Sequence, residues 1–199
     1  SEQAIMSPAE RNKSAILSVL KTRLLFCKTV LEIGSGNGVH IRHFSREMTS
    51  ILWQPSELPE NLVALQVAIS EERSSNLALP CALDVERGPW PTLTYHAVYT
   101  ANTLHYMSWS AAQALLEGAA EVLGFCGYLC IYGPFNSCGR FTSDGNRGLD
   151  AWLKNVNSEY GLRDEEEVVG LAENKGFVFS EGVDMPANNR MLFFKKGAR

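Results

Sequence analysis

Short apolar runs rich in β-branched residues alternate along this chain with stretches in which apolar positions recur every three or four residues. Continuous or period-two runs mark strands and a period of 3.6 marks helices, so the pattern predicts alternating β and α elements. Ser7-Pro8-Ala9-Glu10 is a capping box with proline at the first helical position. Ile16, Leu20 and Leu24 follow as an apolar stripe, which predicts a packed N-terminal helix within residues 1–25. Residues 30–33 read as a strand buried on both faces. Residues 39–48 read as an amphipathic helix with Ile41, Phe44 and Met48 on one side. A second strand at 51–53 is expected to stop at Pro55, and Leu58, Leu62, Leu65 and Ile69 make the next helical face. Further strands are expected at 78–83, ending at Asp84, at 97–101 and at 127–132, the last halted by Gly133-Pro134, with a helix at 109–123. Asp164 is expected to cap a helix with acids in its first turn, Lys175 in its last and Gly176 beyond it. Strands at 177–183 and 191–195 close the chain.

This alternation predicts an α/β fold, a three-layer Rossmann-like arrangement. Its seven-stranded sheet would be mostly parallel, with an antiparallel C-terminal strand and helices on both faces. No repeat, low-complexity tract or linker interrupts it, so residues 1–199 are read as one domain. In such folds ligands bind beyond the carboxyl ends of the strands. After the first strand comes Gly34-Ser35-Gly36-Asn37-Gly38, preceded inside the strand by the acid Glu32. Glycine permits a tight turn and close approach of a ligand, and the N-terminus of the following helix is expected to offer free N–H groups. Glu57 follows the second strand, Asp84-Val85 the third, and Asn102-Thr103-Leu104-His105 the fourth. A nicotinamide dinucleotide is disfavoured, because its fingerprint spaces the glycines G-x-G-x-x-G.

Composition narrows the partners. The 199 residues are 45% hydrophobic, with 18 Lys+Arg against 22 Asp+Glu and a net charge of −4. That balance makes nucleic acid an unlikely partner, since nucleic-acid binding leaves a basic footprint. No apolar run is long enough to span a membrane and no signal peptide precedes the first helix. The chain opens without methionine, which reads as processing or a removed tag. Five cysteines lack a C-x-x-C pair. Cys81, Cys126 and Cys130 are read as small buried hydrophobes of a reduced, cytoplasmic protein acting as monomer or homodimer.

Glu-x-Gly-x-Gly-x-Gly at 32–38 resembles the first motif of class I S-adenosylmethionine-dependent methyltransferases. Residues 7–13, 53–61, 100–105, 132–136, 139–143 and 185–190 are similar to the methyltransferase-like 26 family, a domain of unknown function. The resemblance implies the class I fold, S-adenosyl-L-methionine as cofactor and no established substrate. It implies that the glycines, with Ser35 and Asn37, pack under the methionine part of the cofactor and that Glu32 anchors its ammonium group. It further implies that Glu57 bonds the ribose hydroxyls and that Asp84 and Val85 hold the adenine. Two positions depart from it. Glu57 stands where Asp is frequent, and His96 where Asp commonly makes a structural bond.

At the methyl end the candidates are Asn102, His105, Tyr106, Tyr132, Asn136 and Arg140. His105 has the pKa range of a general base, and it is equally a capping or packing histidine before the helix at 109. Arg140 is read as a bidentate grip for an acceptor carboxylate or phosphate, with the alternative that it pins the insert to the fold. Glu57 taken singly is also a helix-start acid. The polar segment 136–163, with Gly139, Gly145, Gly148 and Arg147, is read as an active-site insert acting as lid or binding loop. The first helix, with Arg11, Asn12 and Lys13, is either a second lid contributing Arg11 and Asn12 to cofactor binding or a cover for the sheet edge. His40 and His43 share a helix face without a third metal ligand, and Trp53, Trp90, Trp109 and Trp152 are assigned to core and pocket mouth. The reading is a methyltransferase of a small-molecule acceptor. A non-catalytic cofactor-binding sensor or assembly partner stays open, separated from it by turnover.

Overall fold

A computed structural model describes residues 6–71 and 73–198; of the segment 1–25, residues 1–5 lie outside this range. Helix α1 (Pro8–Arg23) starts where the capping box requires, Ser7 Oγ accepting the Glu10 N–H at 3.3 Å. Strand β1 (Thr29–Ile33) and helix α2 (Val39–Glu47) follow, then β2 (Leu52–Glu57), α3 (Leu62–Ser70), β3 (Cys81–Ala82), β4 (Tyr95–Ala101) and α4 (Trp109–Val122). Strand β5 (Leu123–Pro134), helices α5 (Asp144–Val156) and α6 (Glu165–Asn174), and strands β6 (Phe177–Met185) and β7 (Asn189–Lys196) complete the chain.

The seven strands form one sheet in the order β3-β2-β1-β4-β5-β7-β6. Pairs from β3 across to β5 are parallel, and β7 runs antiparallel to both of its neighbours. Helices α1, α2 and α3 pack on one face through Ile16, Leu20, Ile41, Phe44, Leu65 and Ile69, against Trp53, Tyr99 and Phe193 of the sheet. Helices α4 and α6 cover the other through Leu115, Leu116, Val168 and Ala172, against Leu31, Val98 and Phe194. Phe44 lies 5.6 Å from Trp53 and 5.5 Å from Tyr99, edge-on to the latter. Such ring pairs contribute about 0.5–1.5 kcal/mol each beyond their area. Among the described residues no helix is long and apolar enough to cross a membrane.

Several local expectations change. Strand β2 runs through Pro55, opposite Glu32 of β1, instead of stopping there. The missing proline N–H is tolerated because the Gln54 amide donates to both the Pro55 and the Leu79 carbonyl, each at 2.8 Å, and bridges the gap towards β3. Strand β3 shrinks to two residues. Asp164 occupies the N-cap of α6 without a side-chain bond; the Glu165 N–H is satisfied by the Asn136 carbonyl at 2.9 Å. Residues 144–156 of the insert are helical. Cys130 is buried and Cys81 half-buried, but Cys126 is exposed, at a left-handed position (φ 62°) within β5. His96 does supply a structural bond in place of the missing aspartate, its Nδ1 accepting the Lys28 N–H at 2.9 Å.

Trp90 rests against α4 where the helix carries Gly118. A Cβ there would lie 2.1 Å from Trp90 Cε2 and 2.2 Å from Cζ2. Gly118→Ala is therefore expected to lower stability by about 1–3 kcal/mol through overpacking, although alanine is the better helix former. Urea unfolding measures the balance, and an unchanged or raised midpoint would show that the indole yields freely.

Candidate active site

The glycine loop leaves β1 and is tied to β2. Ser35 N–H donates to the Ser56 carbonyl (2.9 Å), Ser35 Oγ accepts the Ser56 N–H (3.1 Å), and Gly36 N–H donates to Glu57 Oε2 (2.8 Å). Gly38 N–H closes the turn on the Ser35 carbonyl at 2.8 Å. Within the loop the N–H groups of Ser35, Gly36 and Gly38 are thus engaged within the protein, and at the N-terminus of α2 no side chain caps the helix. What the glycines supply is backbone shape, with φ of 74°, 57° and 75° at 34, 36 and 38. A Cβ at Gly34 would stand 2.7 Å from Thr103 Cγ2, and one at Gly38 2.5 Å from Ile69 Cγ2. Asn37 is exposed on the loop.

Two cavities adjoin at the carboxyl edge of the sheet, where the strand order switches from β1 to β4. The first, about 510 Å³, collects Ile33 and Gly34 after β1, Glu57 and Leu58 at β2, Leu83, Asp84 and Val85 after β3, and Asn102 and Thr103 after β4. Its carboxylates are Glu57, Glu60, Asp84, Glu86 and Glu159, and among the described residues no lysine or arginine lines it. Glu57 is buried and its second oxygen accepts the Leu58 N–H at 2.9 Å. Asp84 Oδ1 accepts the N–H groups of Glu86 (3.0 Å) and Arg87 (3.3 Å), which aims the loop after β3.

The second cavity, also about 510 Å³, lies between α1, the ends of β4 and β5, and α5. Arg11 and Asn12 enter from α1, His105 from the turn after β4, Tyr132 from β5, Asn146 and Leu149 from α5, and Asn189 from the start of β7. Asn102 and Tyr106 line both cavities. Asn102 holds a left-handed backbone (φ 56°) while its N–H donates to the Tyr132 carbonyl at 2.9 Å. A Cβ on Gly133 would lie 3.8 Å from Asn102 Oδ1 and 3.9 Å from His105 Nδ1, so these polar atoms converge on the end of β5.

Burial sets the protonation of the site. Burial first, and then the nearby Arg163 guanidinium, hold His105 at about 4, so it is neutral at physiological pH. Asn12 stands beside the Tyr132 hydroxyl, its Oδ1 meets His40 Nε2 at 2.6 Å, and His40 Nδ1 meets the Tyr99 hydroxyl at 3.0 Å. This chain locks α1 onto the sheet, and burial keeps His40 neutral as well, at about 4. Glu32 lies buried behind the loop and lines neither cavity. Burial raises its carboxyl to about 8, against a Ser35 hydrogen bond and with help from the Glu57 charge, and its Oε1 has no partner. A buried orphan of this kind calls for a donor that the protein does not supply.

Among the predicted site residues, the structure therefore brings together Gly34, Glu57, Asp84, Val85 and Asn102 around one cavity, and Arg11, Asn12, Asn102, His105 and Tyr132 around the other. Arg140 joins neither. It is exposed on a turn in which Ser137 and Arg140 exchange backbone bonds at 3.0 Å, and Arg147 stacks over Phe141. The insert meets the site through Asn146, Leu149, Glu159 and Tyr160, and through Gly161 N–H, which donates to the His105 carbonyl at 3.1 Å. Sequence reading missed those residues. A signal was present: Ser143, which caps α5 by accepting the Asn146 N–H, is followed by Asn146, Leu149 and Leu153 at helical spacing. Among the described residues no group of three or more His, Cys, Asp or Glu stands together as a metal site.

The architecture matches solved methyltransferases at low identity. Human N-acetylserotonin methyltransferase in complex with SAM has a TM-score of 0.75 and 15% identity over 94% of this chain and 55% of that one. PigF with SAH has a TM-score of 0.77 and 16% identity over 91% and 54%. An O-methyltransferase family protein from Burkholderia thailandensis has a TM-score of 0.75 and 14% identity over 94% and 58%. The chain thus spans little more than half the length of the solved proteins it resembles, and at this identity the likeness carries the fold. A family model described as "Protein of unknown function (DUF938)" matches residues 3–196. With the match covering nearly the whole chain, glycine loop and both cavities included, the protein belongs to that DUF938 family.

Proposed function

We propose that this chain is an S-adenosylmethionine-dependent methyltransferase that methylates a hydroxyl of a small molecule, and that it is akin to the methyltransferase-like 26 family. The observation that carries the reading is the charge of the first cavity, which five carboxylates (Glu57, Glu60, Asp84, Glu86 and Glu159) and, among the described residues, no cationic side chain line. Such a field repels the pyrophosphate of a dinucleotide and favours an adenosyl ligand bearing a sulfonium. The residues fit that ligand. Glu57 retains acceptor capacity on both oxygens for ribose hydroxyls, and Asp84 and Val85 face the adenine end. In the loop of Gly34, Ser35, Gly36, Asn37 and Gly38 it is Gly36, where a Cβ would meet nothing within 4 Å, that leaves room for close approach. The orphan Glu32 Oε1 suits the ammonium group, directly or through water.

When bound, the cofactor supplies a methyl group on a sulfur that leaves with the bonding electron pair. The chain's own task is to align the acceptor, exclude water and take up a proton. Asn102 and Tyr106 form the wall common to both cavities, next to which the nucleophile must sit. His105, neutral and buried there, receives the hydroxyl proton, and Tyr132 with Asn12 orients the acceptor. The names of the solved relatives, O-methyltransferases among them, support an oxygen acceptor.

S-adenosylhomocysteine should raise the melting temperature, with about 2.7 kcal/mol of stabilisation at one hundred times its dissociation constant. NAD should leave it unchanged. A shift with NAD alone would overturn the assignment, and cofactor binding without S-adenosylhomocysteine production across diverse acceptors would make the protein a sensor.

A further inference from the structure

Resting on that reading, we infer that the acceptor is a small hydroxy acid, its anionic group held by Arg11 and its hydroxyl turned to His105. The second cavity differs in charge from the first. Among the described residues no carboxylate lines it, and Arg11 is the single cationic side chain. Among the described residues Arg11 is paired with no carboxylate; its guanidinium donates to the Met6 carbonyl. Its neighbour on the helix, Lys13, is by contrast neutralised by Glu10 at 2.5 Å. The remaining polar groups, Asn12, Tyr132, Asn146 and Asn189, are neutral. A cationic amine would find no counter-charge here and would meet the sulfonium next door, whereas an anion finds a planar bidentate donor.

Different elements supply the cation and the histidine. Arg11 and Pro8 stand on α1, while His105 and Tyr106 stand after β4 beside the first cavity. An acceptor lying across this space keeps its acid on α1, away from the carboxylates of the first cavity, and presents the other end to the shared wall. Pro134, Pro186 and Leu149 add apolar surface to the same cavity, suited to a ring. In the transfer the oxygen–methyl bond forms as the methyl–sulfur bond breaks. The electron pair stays on sulfur, and the hydroxyl proton goes to His105.

The test uses 4-hydroxyphenylacetate, its neutral amide and tyramine as matched probes. Binding to the full chain saturated with S-adenosylhomocysteine is read by calorimetry at low and high salt. The acid should bind at least about 10-fold more tightly than the amide, with a preference that salt weakens, and tyramine should bind worst. Arg11→Gln should abolish the preference while S-adenosylhomocysteine affinity stays within about twofold of the wild type, and Arg11→Lys should restore part of it. Binding the acid no better than its partners, or binding none of the three, overturns the inference while leaving cofactor binding intact. Loss of S-adenosylhomocysteine affinity in Arg11→Gln overturns it too, by assigning Arg11 to the cofactor's own carboxylate. Failure of the wild type to bind S-adenosylhomocysteine at all would instead remove the methyltransferase reading itself.

Discussion

Replacing His105 with alanine should lower the rate of methyl transfer by about 10²-fold, the low end of the range for a lost general base, because burial leaves its imidazole weakly basic. Cofactor affinity should remain, because His105 lines the second cavity and not the first. The measurement is single-turnover formation of S-adenosylhomocysteine with any acceptor that the wild type methylates. Added imidazole should return part of the lost rate, which a merely packing histidine would not allow. The pH profile makes the same point. Burial holds His105 at about 4, so kcat/KM should keep its plateau to well below pH 6 and fall only as the pH approaches 4. Stability moves with pH in the same direction. His105 and His40, each lowered from 6.5 to about 4, take up protons on unfolding that the folded chain refuses. Their contribution is complete above pH 6.5 and is lost as the pH falls from there towards 4, less steeply in the variant that lacks one of them. A rate unchanged by His105→Ala would make the residue a packing group and leave the acceptor oxygen to be activated otherwise.

Glu57→Gln should weaken cofactor binding about 10- to 100-fold, the loss of charge-assisted bonds to the ribose at about 1.5–3 kcal/mol. The carboxylate also fixes the glycine loop, with Oε2 on the Gly36 N–H and Oε1 on the Leu58 N–H. Glutamine has one acceptor oxygen, so its NH₂ must face one of these donors, and stability should fall by about 1–3 kcal/mol. Sequence reading offered two separate roles for Glu57, cofactor ligand or helix-start acid. The structure shows no capping bond from Glu57: one oxygen accepts the N–H of the next residue, Leu58, the other fixes the loop, and lone pairs remain for a ligand. Titration calorimetry with S-adenosylhomocysteine, alongside urea unfolding, separates the contributions. A reduced midpoint with an unaltered dissociation constant would leave Glu57 a structural residue alone.

Much of this architecture is legible locally. The Ser7 capping box, the stripe of Ile16, Leu20 and Leu24, and the buried runs of β1 and β4 each carry their own periodicity or cap, which a few consecutive residues suffice to specify. The order of acids after successive strands, Glu57 and then Asp84, was readable because a parallel sheet gathers all its carboxyl ends on one edge. That edge is where both cavities lie. Pro55 shows the limit, since its tolerance inside β2 depends on the Gln54 amide reaching Leu79, a partner 25 residues away. The insert shows it again. Gly145 and Gly148 lower helix propensity, and only burial of Asn146, Asp150 and Leu153 against the body of the fold brings α5 into being. Sequence reading assigns the anion grip to Arg140 and places Arg11 in a lid over the cofactor. Their distance from the site depends on how α1 and the turn at 137–140 dock, through Asn12, His40 and Tyr99 in one case and a self-contained backbone turn in the other. Local patterning suffices for most of the elements, for the switch-point edge and for the acids that follow the strands, but not for α5 or for the extents of β2 and β3. Tertiary packing alone decided which polar side chains share a cavity, because burial and charge at a site are sums over neighbours far apart in the chain.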